Sequence, residues 1–174
     1  MTFQAPEAEW PDRDLDERAT LDGFLEGYRA VLLHKATGLD RAQLSTALAP
    51  STLTLGGLVK HMALVEDIWF TQRMAGDQPP EPWASADWEA DEDWDFHSAP
   101  DDEPADLRAL FDTAVDRSRA IAAAHDLDDV AAHRGADGAP CTLRWIYVHM
   151  IEEYARHCGH ADLIRESIDG TTGD

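Results

Sequence analysis

One segment near the C-terminal end of the sequence combines histidine and glutamate at spacings of three and four residues. His149, Glu153, His157 and His160 follow one another in this order, so on an α-helix all four lie on one face. Imidazole nitrogens and carboxylate oxygens are ligands of zinc and of other divalent metals. The segment is therefore a candidate metal site.

Apolar residues share this face of the helix, which marks it as the face that packs into the interior: Trp145, Ile146, Met150, Leu163 and Ile164. A carboxylate on an inward face is costly unless it is protonated, paired with a cation or bound to a metal. Two simpler interpretations stay open. The histidines could be satisfied by carbonyl or carboxylate groups, and Glu153 could form an ion pair with a protonated His157.

Helix geometry limits which of these side chains can bind one ion. His149 and His157 are roughly 12 Å apart along the helix axis, too far for both to reach the same metal. The pairs one turn apart are His149/Glu153, Glu153/His157 and His157/His160, and a third ligand must come from another helix. His61 is the only other histidine on an apolar stripe of a well-marked helix. Because neither Glu-x-x-His nor His-Glu-x-x-His occurs, a mononuclear site is favoured over a di-iron core or a metalloprotease site.

The periodicity of apolar residues predicts four helices that would position these side chains. They span about residues 14–37, 54–75, 104–124 and 142–168, with Gly38 as a helix stop and Thr142 as an N-cap. A turn over residues 135–140 precedes the fourth helix. The sequence thus predicts an all-α four-helix bundle that forms a single domain over residues 1–174.

A long acidic segment connects the second and third predicted helices. Residues 83–103 show no helical period and surround Trp83, Trp88, Trp94 and Phe96 with nine acidic side chains. We expect a solvated crossover whose aromatic residues pack on the bundle. The alternative is a lid over a ligand site, because long loops are often functional.

Charge and composition exclude several classes of partner. The sequence has 35 acidic and 14 basic residues, a net charge of −21, which repels nucleic acid and anionic lipid. No apolar run is long enough to span a bilayer, and the N-terminus lacks the features of a signal peptide. We therefore expect a cytoplasmic protein that binds neither nucleic acid nor membrane.

Two stretches of the sequence resemble a known family. LGGLVKH at 55–61, followed by VEDIWF at 65–70, and LRWIYVHMIEEYARHCGHADL at 143–163 are similar to the DinB-like superfamily, close to the mycothiol-dependent maleylpyruvate isomerases. The resemblance implies a four-helix bundle in which His61, Glu153 and His157 bind the metal. Many members have histidine in place of Glu153, whereas the isomerase branch has glutamate. His160 stands where other members often have glutamine, and His149 would then support the site or the core.

The resemblance also implies a function. Two histidines and one carboxylate leave coordination positions open, as in catalytic sites, and a divalent ion lowers the pKa of a bound water or thiol. We expect a metal-dependent S-transferase or isomerase that uses mycothiol or a similar thiol on a small molecule. Zinc is the expected metal, with nickel, iron or cobalt as alternatives, and a metal-assisted hydrolase would use bound water instead. The competing hypothesis is a non-enzymatic, metal-stabilised bundle that acts as a stress-linked interaction or sensing protein.

Four further residues lie on or next to the fourth predicted helix. Arg156 and Arg144 could anchor a substrate carboxylate, although surface ion pairs are the more ordinary role. Cys158 lies opposite the metal face by helical count, which argues against a nucleophile, and Cys141 is left undecided. The isomerases of the family usually carry an additional C-terminal domain, so the resemblance also allows a homodimer in which a partner closes the site.

Overall fold

The structure is a computed structural model that describes residues 4–134 and 138–173. The described residues form helices and two isolated β-bridges. The predicted turn at 135–140 lies partly outside the described residues. The helices, in chain order, are α1 (Glu17–Ala36), α2 (Arg41–Leu44), α3 (Leu55–Glu66), α4 (Trp94–Ser98), α5 (Pro104–Ala123) and α6 (Leu143–Asp169).

The four long helices α1, α3, α5 and α6 form a bundle, which confirms the predicted all-α class. The helix-capping residues predicted from the sequence, Thr142 and Gly38, lie at helix ends. The hydroxyl of Thr142 accepts a hydrogen bond from the backbone N–H of Trp145 at the start of α6, and Gly38 adopts a φ of 79° just after α1, a conformation that favours glycine. Helix α1 packs chiefly against α6, and α3 packs chiefly against α5.

The second predicted helix differs from the prediction in its second half. Helix α3 ends at Glu66 and continues as a π-helix over Asp67–Met74. Glu66 and Asp67 are both fully buried and have separate cationic partners: Arg29 binds Glu66, while Arg117 binds Asp67. The wider π-helical turn changes the side-chain register after Asp67, a feature frequent near functional sites.

The acidic connection also differs from the prediction, because part of it is helical. It contains α4 and a 3₁₀ turn at Ala99–Asp101. Hydrogen bonds attach it to the bundle: the indole N–H of Trp83 donates to Asp67 at 2.8 Å, and Lys60 donates to Asp102 at 2.6 Å. The aromatic residues of the connection pack on the bundle, as expected for a crossover.

Candidate metal centre

His61 lies on α3 and is held from two sides by α4. Its Nδ1–H donates to Oδ2 of Asp95 at 2.7 Å, and Asp95 is buried. Its ring stacks on Phe96 with 4.6 Å between the ring centroids. Gly57, one turn earlier on α3, permits this close approach, since a Cβ there would lie 3.0 Å from the Phe96 ring. Because Nδ1 is engaged, Nε2 is the imidazole nitrogen left for a metal.

Helix α6 brings Glu153 and His157 to the same place. The His157 ring lies 4.9 Å from the His61 ring between centroids, and Nε2 of His157 is 3.5 Å from Oε2 of Glu153. His157 thus lies beside each of the other two residues that the family resemblance selected. Glu153 is 17% exposed in its side chain, so it borders solvent and the cost of a bare carboxylate there is lower than the sequence pattern suggested.

The environment of His157 favours its neutral form. Burial is the largest cause, and the neighbouring His61, His160 and Arg156 add to it, so that the pKa of His157 is lowered to about 4. A neutral imidazole is the form that binds a metal. Nδ1 of His157 lies 3.4 Å from Nδ1 of His160, and a proton shared between these two atoms leaves Nε2 of His157 facing Glu153.

His149 lies one turn before Glu153 on α6, in an aromatic cluster. It stacks on Trp145 with centroids 5.0 Å apart and meets Trp69 edge-on at 4.4 Å. Its Nε2 is 3.6 Å from Oε1 of Glu153. His149 therefore contacts a predicted ligand while its ring packs between two indoles, a position from which it can support the site.

A second ligand set competes with the predicted one. Ligand atoms of His149, Glu152 and Glu153 all lie within 4.8 Å of one another. Glu152, however, is exposed and forms an ion pair with Arg156, and exposed carboxylates of this kind often cluster without a metal. Among the described residues, only the set of His149, Glu152 and Glu153 meets this spacing. The set that contains His61 stays a candidate because its residues come from two helices and one imidazole is already oriented by a buried carboxylate.

The remaining candidates have ordinary structural partners. Arg144 pairs with Glu17 and Asp128. The Sγ of Cys158 approaches the carbonyl oxygen of Tyr28 at 3.6 Å, on the α1 side of α6. Burial raises the pKa of this thiol to about 12, which argues against a nucleophile. Cys141 is half-buried in the segment before α6.

Sequence reasoning missed Asp95 and Phe96, which position His61. Both belong to the acidic connection. Because this segment contains nine acidic residues, its sequence does not show that Asp95 is a buried one. The sequence signal that could have marked Asp95 is the pair of aromatic residues on either side of it, Trp94 and Phe96. This pair does not indicate which helix the segment packs against. Only the packing of α4 on α3 identifies Asp95.

The chain is an all-helical DinB-like domain of the mycothiol-associated type. A family model described as Mycothiol-S-transferase matches residues 20–170, most of the chain, and the protein belongs to this family of transferases. No curated protein matches the chain significantly. Among residues 4–134 and 138–173, no helix is long and apolar enough to cross a membrane.

Proposed function

We propose that the protein is a divalent-metal-dependent S-transferase that uses mycothiol on a small electrophile, with His61, Glu153 and His157 as metal ligands. The observation that carries this proposal is that His157 of α6 lies beside both Glu153 and His61 of α3, with a buried carboxylate on His61. Membership of the mycothiol S-transferase family supports the choice of thiol and reaction. Zinc suits two imidazoles and one carboxylate with an open position.

A bound divalent ion would lower the pKa of a coordinated thiol and make it a nucleophile near neutral pH. The residues of the chain provide the orientation. Asp95 keeps the proton of His61 on Nδ1, and His160 can accept the Nδ1 proton of His157, so both imidazoles present Nε2. In the overall reaction the thiol sulfur forms a bond to the electrophilic carbon. The bond from that carbon to its leaving group breaks, the leaving group takes the electron pair, and the thiol proton passes to solvent.

Arg156 borders the same cluster and remains a candidate anchor for an anionic group on a substrate. Its Nη1 lies 3.9 Å from Oε1 of Glu153, and it also pairs with Glu152. Because two carboxylates already surround Arg156, an anion would have to compete with them for the guanidinium. The transfer reaction proposed above does not depend on it.

Metal content of single variants tests the ligand set. We expect His61→Ala, Glu153→Gln and His157→Ala each to lose most of the zinc that the wild-type protein binds, at about one ion per chain. Glu152→Gln and His149→Ala are the matched controls and should retain it. Retention in His61→Ala together with loss in Glu152→Gln would assign the metal to His149, Glu152 and Glu153 instead.

Cobalt substitution tests whether a thiol reaches the ion. With cobalt bound, mycothiol should produce sulfur-to-metal charge-transfer absorption, and the protein should then consume mycothiol in the presence of an organic halide. An unchanged cobalt spectrum with mycothiol, glutathione and simple thiols would contradict the transferase proposal and favour metal-bound water or a structural ion.

A further inference from the structure

One face of α6 is exposed to solvent along most of the helix, while the opposite face packs on α1 and α3. The exposed residues recur at steps of three and four, so they form one stripe that runs along roughly 27 Å of helix. The outer stripe of α6 comprises Trp145, Val148, Glu152, Arg156, Gly159 and Leu163. The other exposed residue within this span, Asp162, pairs with Lys35 of α1.

The two ends of the outer stripe are apolar. Leu163 is 59% exposed, Val148 56% and Trp145 48%. Among the described residues seven large apolar side chains are exposed, and three of them lie on this one helix face. Single apolar side chains are ordinary on a protein surface, whereas several on one face indicate an interaction surface.

The middle of the outer stripe has no net charge. Glu152 and Arg156 lie one helical turn apart, form an ion pair with each other, and are each about half exposed. The whole chain has a net charge of −21, so two copies repel each other over most of their surfaces. A neutral stripe with apolar ends is a surface over which two copies can meet with little of this repulsion.

The order of residues along the outer stripe makes it complementary to itself. When two copies of α6 pair antiparallel about a two-fold axis level with residue 154, each residue faces the one equally far beyond the axis on the other helix. Glu152 then faces Arg156 of the partner subunit. Trp145 faces Leu163 of the partner subunit, so apolar side chains meet at both ends.

Gly159 and the charge pattern favour this antiparallel arrangement. A Cβ added at Gly159 would meet no heavy atom within 4 Å, so the glycine leaves room for His149 of the partner subunit, which it faces across the axis. A parallel pair would instead place Glu152 against Glu152 and Arg156 against Arg156, and like charges in such positions are destabilising.

We propose that the outer stripe of α6 is the interface of a homodimer in which two copies of the helix pack antiparallel. Two pairs between Glu152 and Arg156 form at its centre, and Trp145 packs on Leu163 of the partner subunit at each end. One helix face against another buries an area at the low end of specific interfaces, so the dimer dissociates on dilution into the micromolar range.

The proposed interface borders the candidate metal centre. Glu153 directly follows Glu152, and Nη1 of Arg156 lies 3.9 Å from Oε1 of Glu153. Glu152 of the partner subunit would bind Arg156 and hold its guanidinium beside the centre. Neither a metal nor a thiol enters the inference, so its failure leaves the S-transferase proposal in place.

Sedimentation velocity over a range of concentrations tests the dimer with the full chain. We expect the mass to rise from 19.3 kDa toward twice that value as concentration increases. Leu163→Glu should raise the dissociation constant at least about tenfold, because its carboxylate would lie against the Trp145 ring of the partner subunit. Leu15→Glu, the same change at an exposed leucine before α1, is the matched control and should dimerise like the wild type.

Charge reversal tests the antiparallel register. Glu152→Arg and Arg156→Glu should each stay monomeric, because four guanidinium or four carboxylate groups would then meet at the centre. An equal mixture of these two variants should form a heterodimer, which native mass spectrometry distinguishes by mass. The double variant should regain the homodimer, and circular dichroism checks that all three variants keep their helix content.

Three results would overturn the interface. The first is a wild-type protein that keeps the mass of one chain up to millimolar concentration. The second is dimerisation of the single charge variants as tight as that of the wild type, or a mixture of them that gives no heterodimer. The third is an equal dissociation constant for Leu163→Glu and Leu15→Glu.

Discussion

His61 and His157 are the same residue type in one cluster, yet the protein orients them by different means. A buried carboxylate fixes His61, since Asp95 accepts its Nδ1–H at 2.7 Å. A second imidazole, His160, approaches Nδ1 of His157 at 3.4 Å. A carboxylate accepts a stronger hydrogen bond than a neutral ring nitrogen. His61 is therefore the more firmly oriented of the two, and its hydrogen-bonded partner is a residue of the connection, Asp95.

Replacing Asp95 should weaken metal binding without removing a ligand. We expect Asp95→Asn to lower zinc affinity about 10–100-fold, because the amide binds the Nδ1–H less strongly and can stabilise the other tautomer of His61. A competition titration against a chromophoric chelator measures the change. Asp93→Asn is the control, since Asp93 is exposed and makes no described contact with His61. Equal affinities of the two variants would show that His61 needs no carboxylate to bind the ion.

At the scale of elements, the π-helical segment and the acidic connection depend on each other. Asp67 opens the π-helix and is fully buried. It accepts hydrogen bonds from Trp83 of the connection, from Thr71 one turn later and from Arg117 of α5. One carboxylate thus joins the connection, the π-helix and α5.

Removing the indole donor should loosen the connection. Trp83→Phe leaves one hydrogen-bonding position of buried Asp67 unfilled, and we expect a loss of about 1–3 kcal/mol in the free energy of unfolding. Urea unfolding of Trp83→Phe, Asp67→Asn and the double variant forms a cycle that isolates the contact from the loss of ring volume. A coupling energy near zero would mean that packing alone holds Trp83 in place.

At the scale of the whole molecule, acidic charge is in large excess over basic charge. The net charge is −21, and many acidic side chains are exposed. Arg29 and Arg117 each pair with a buried carboxylate, Glu66 and Asp67, so they do not neutralise the acidic side chains at the surface. Repulsion among the remaining carboxylates opposes the compact state.

Salt should therefore stabilise the folded protein. Raising sodium chloride from about 0.1 M to about 1 M shortens the Debye length from about 10 Å to about 3 Å. We expect the Tm to rise by about 2–4 °C for each kcal/mol of repulsion relieved. Choline chloride at equal ionic strength is the control and should give the same shift, since screening does not depend on the cation. A Tm that falls with salt would show that the ion pairs outweigh the repulsion.

The sequence by itself predicted the helical class and the positions of the bundle helices, because these depend on local rules. Apolar residues at steps of three and four mark the buried faces of helices. Thr142 begins α6 because its hydroxyl caps the first turn, and Gly38 follows the end of α1 because glycine readily adopts a positive φ. The same periodicity placed Glu153 and His157 one turn apart on α6. Their pairing with His61 came from the family motif, since spacing alone left three pairs open.

Only the tertiary structure decided what surrounds those side chains. Asp95 is one of many acidic residues in its segment, and it becomes a partner of His61 because α4 packs on α3. Asp67, at the start of the π-helix, has partners on other elements, Trp83 and Arg117, and no local pattern of sequence specifies these contacts. Such features depend on contacts between residues far apart in the chain, which periodicity and capping rules do not encode.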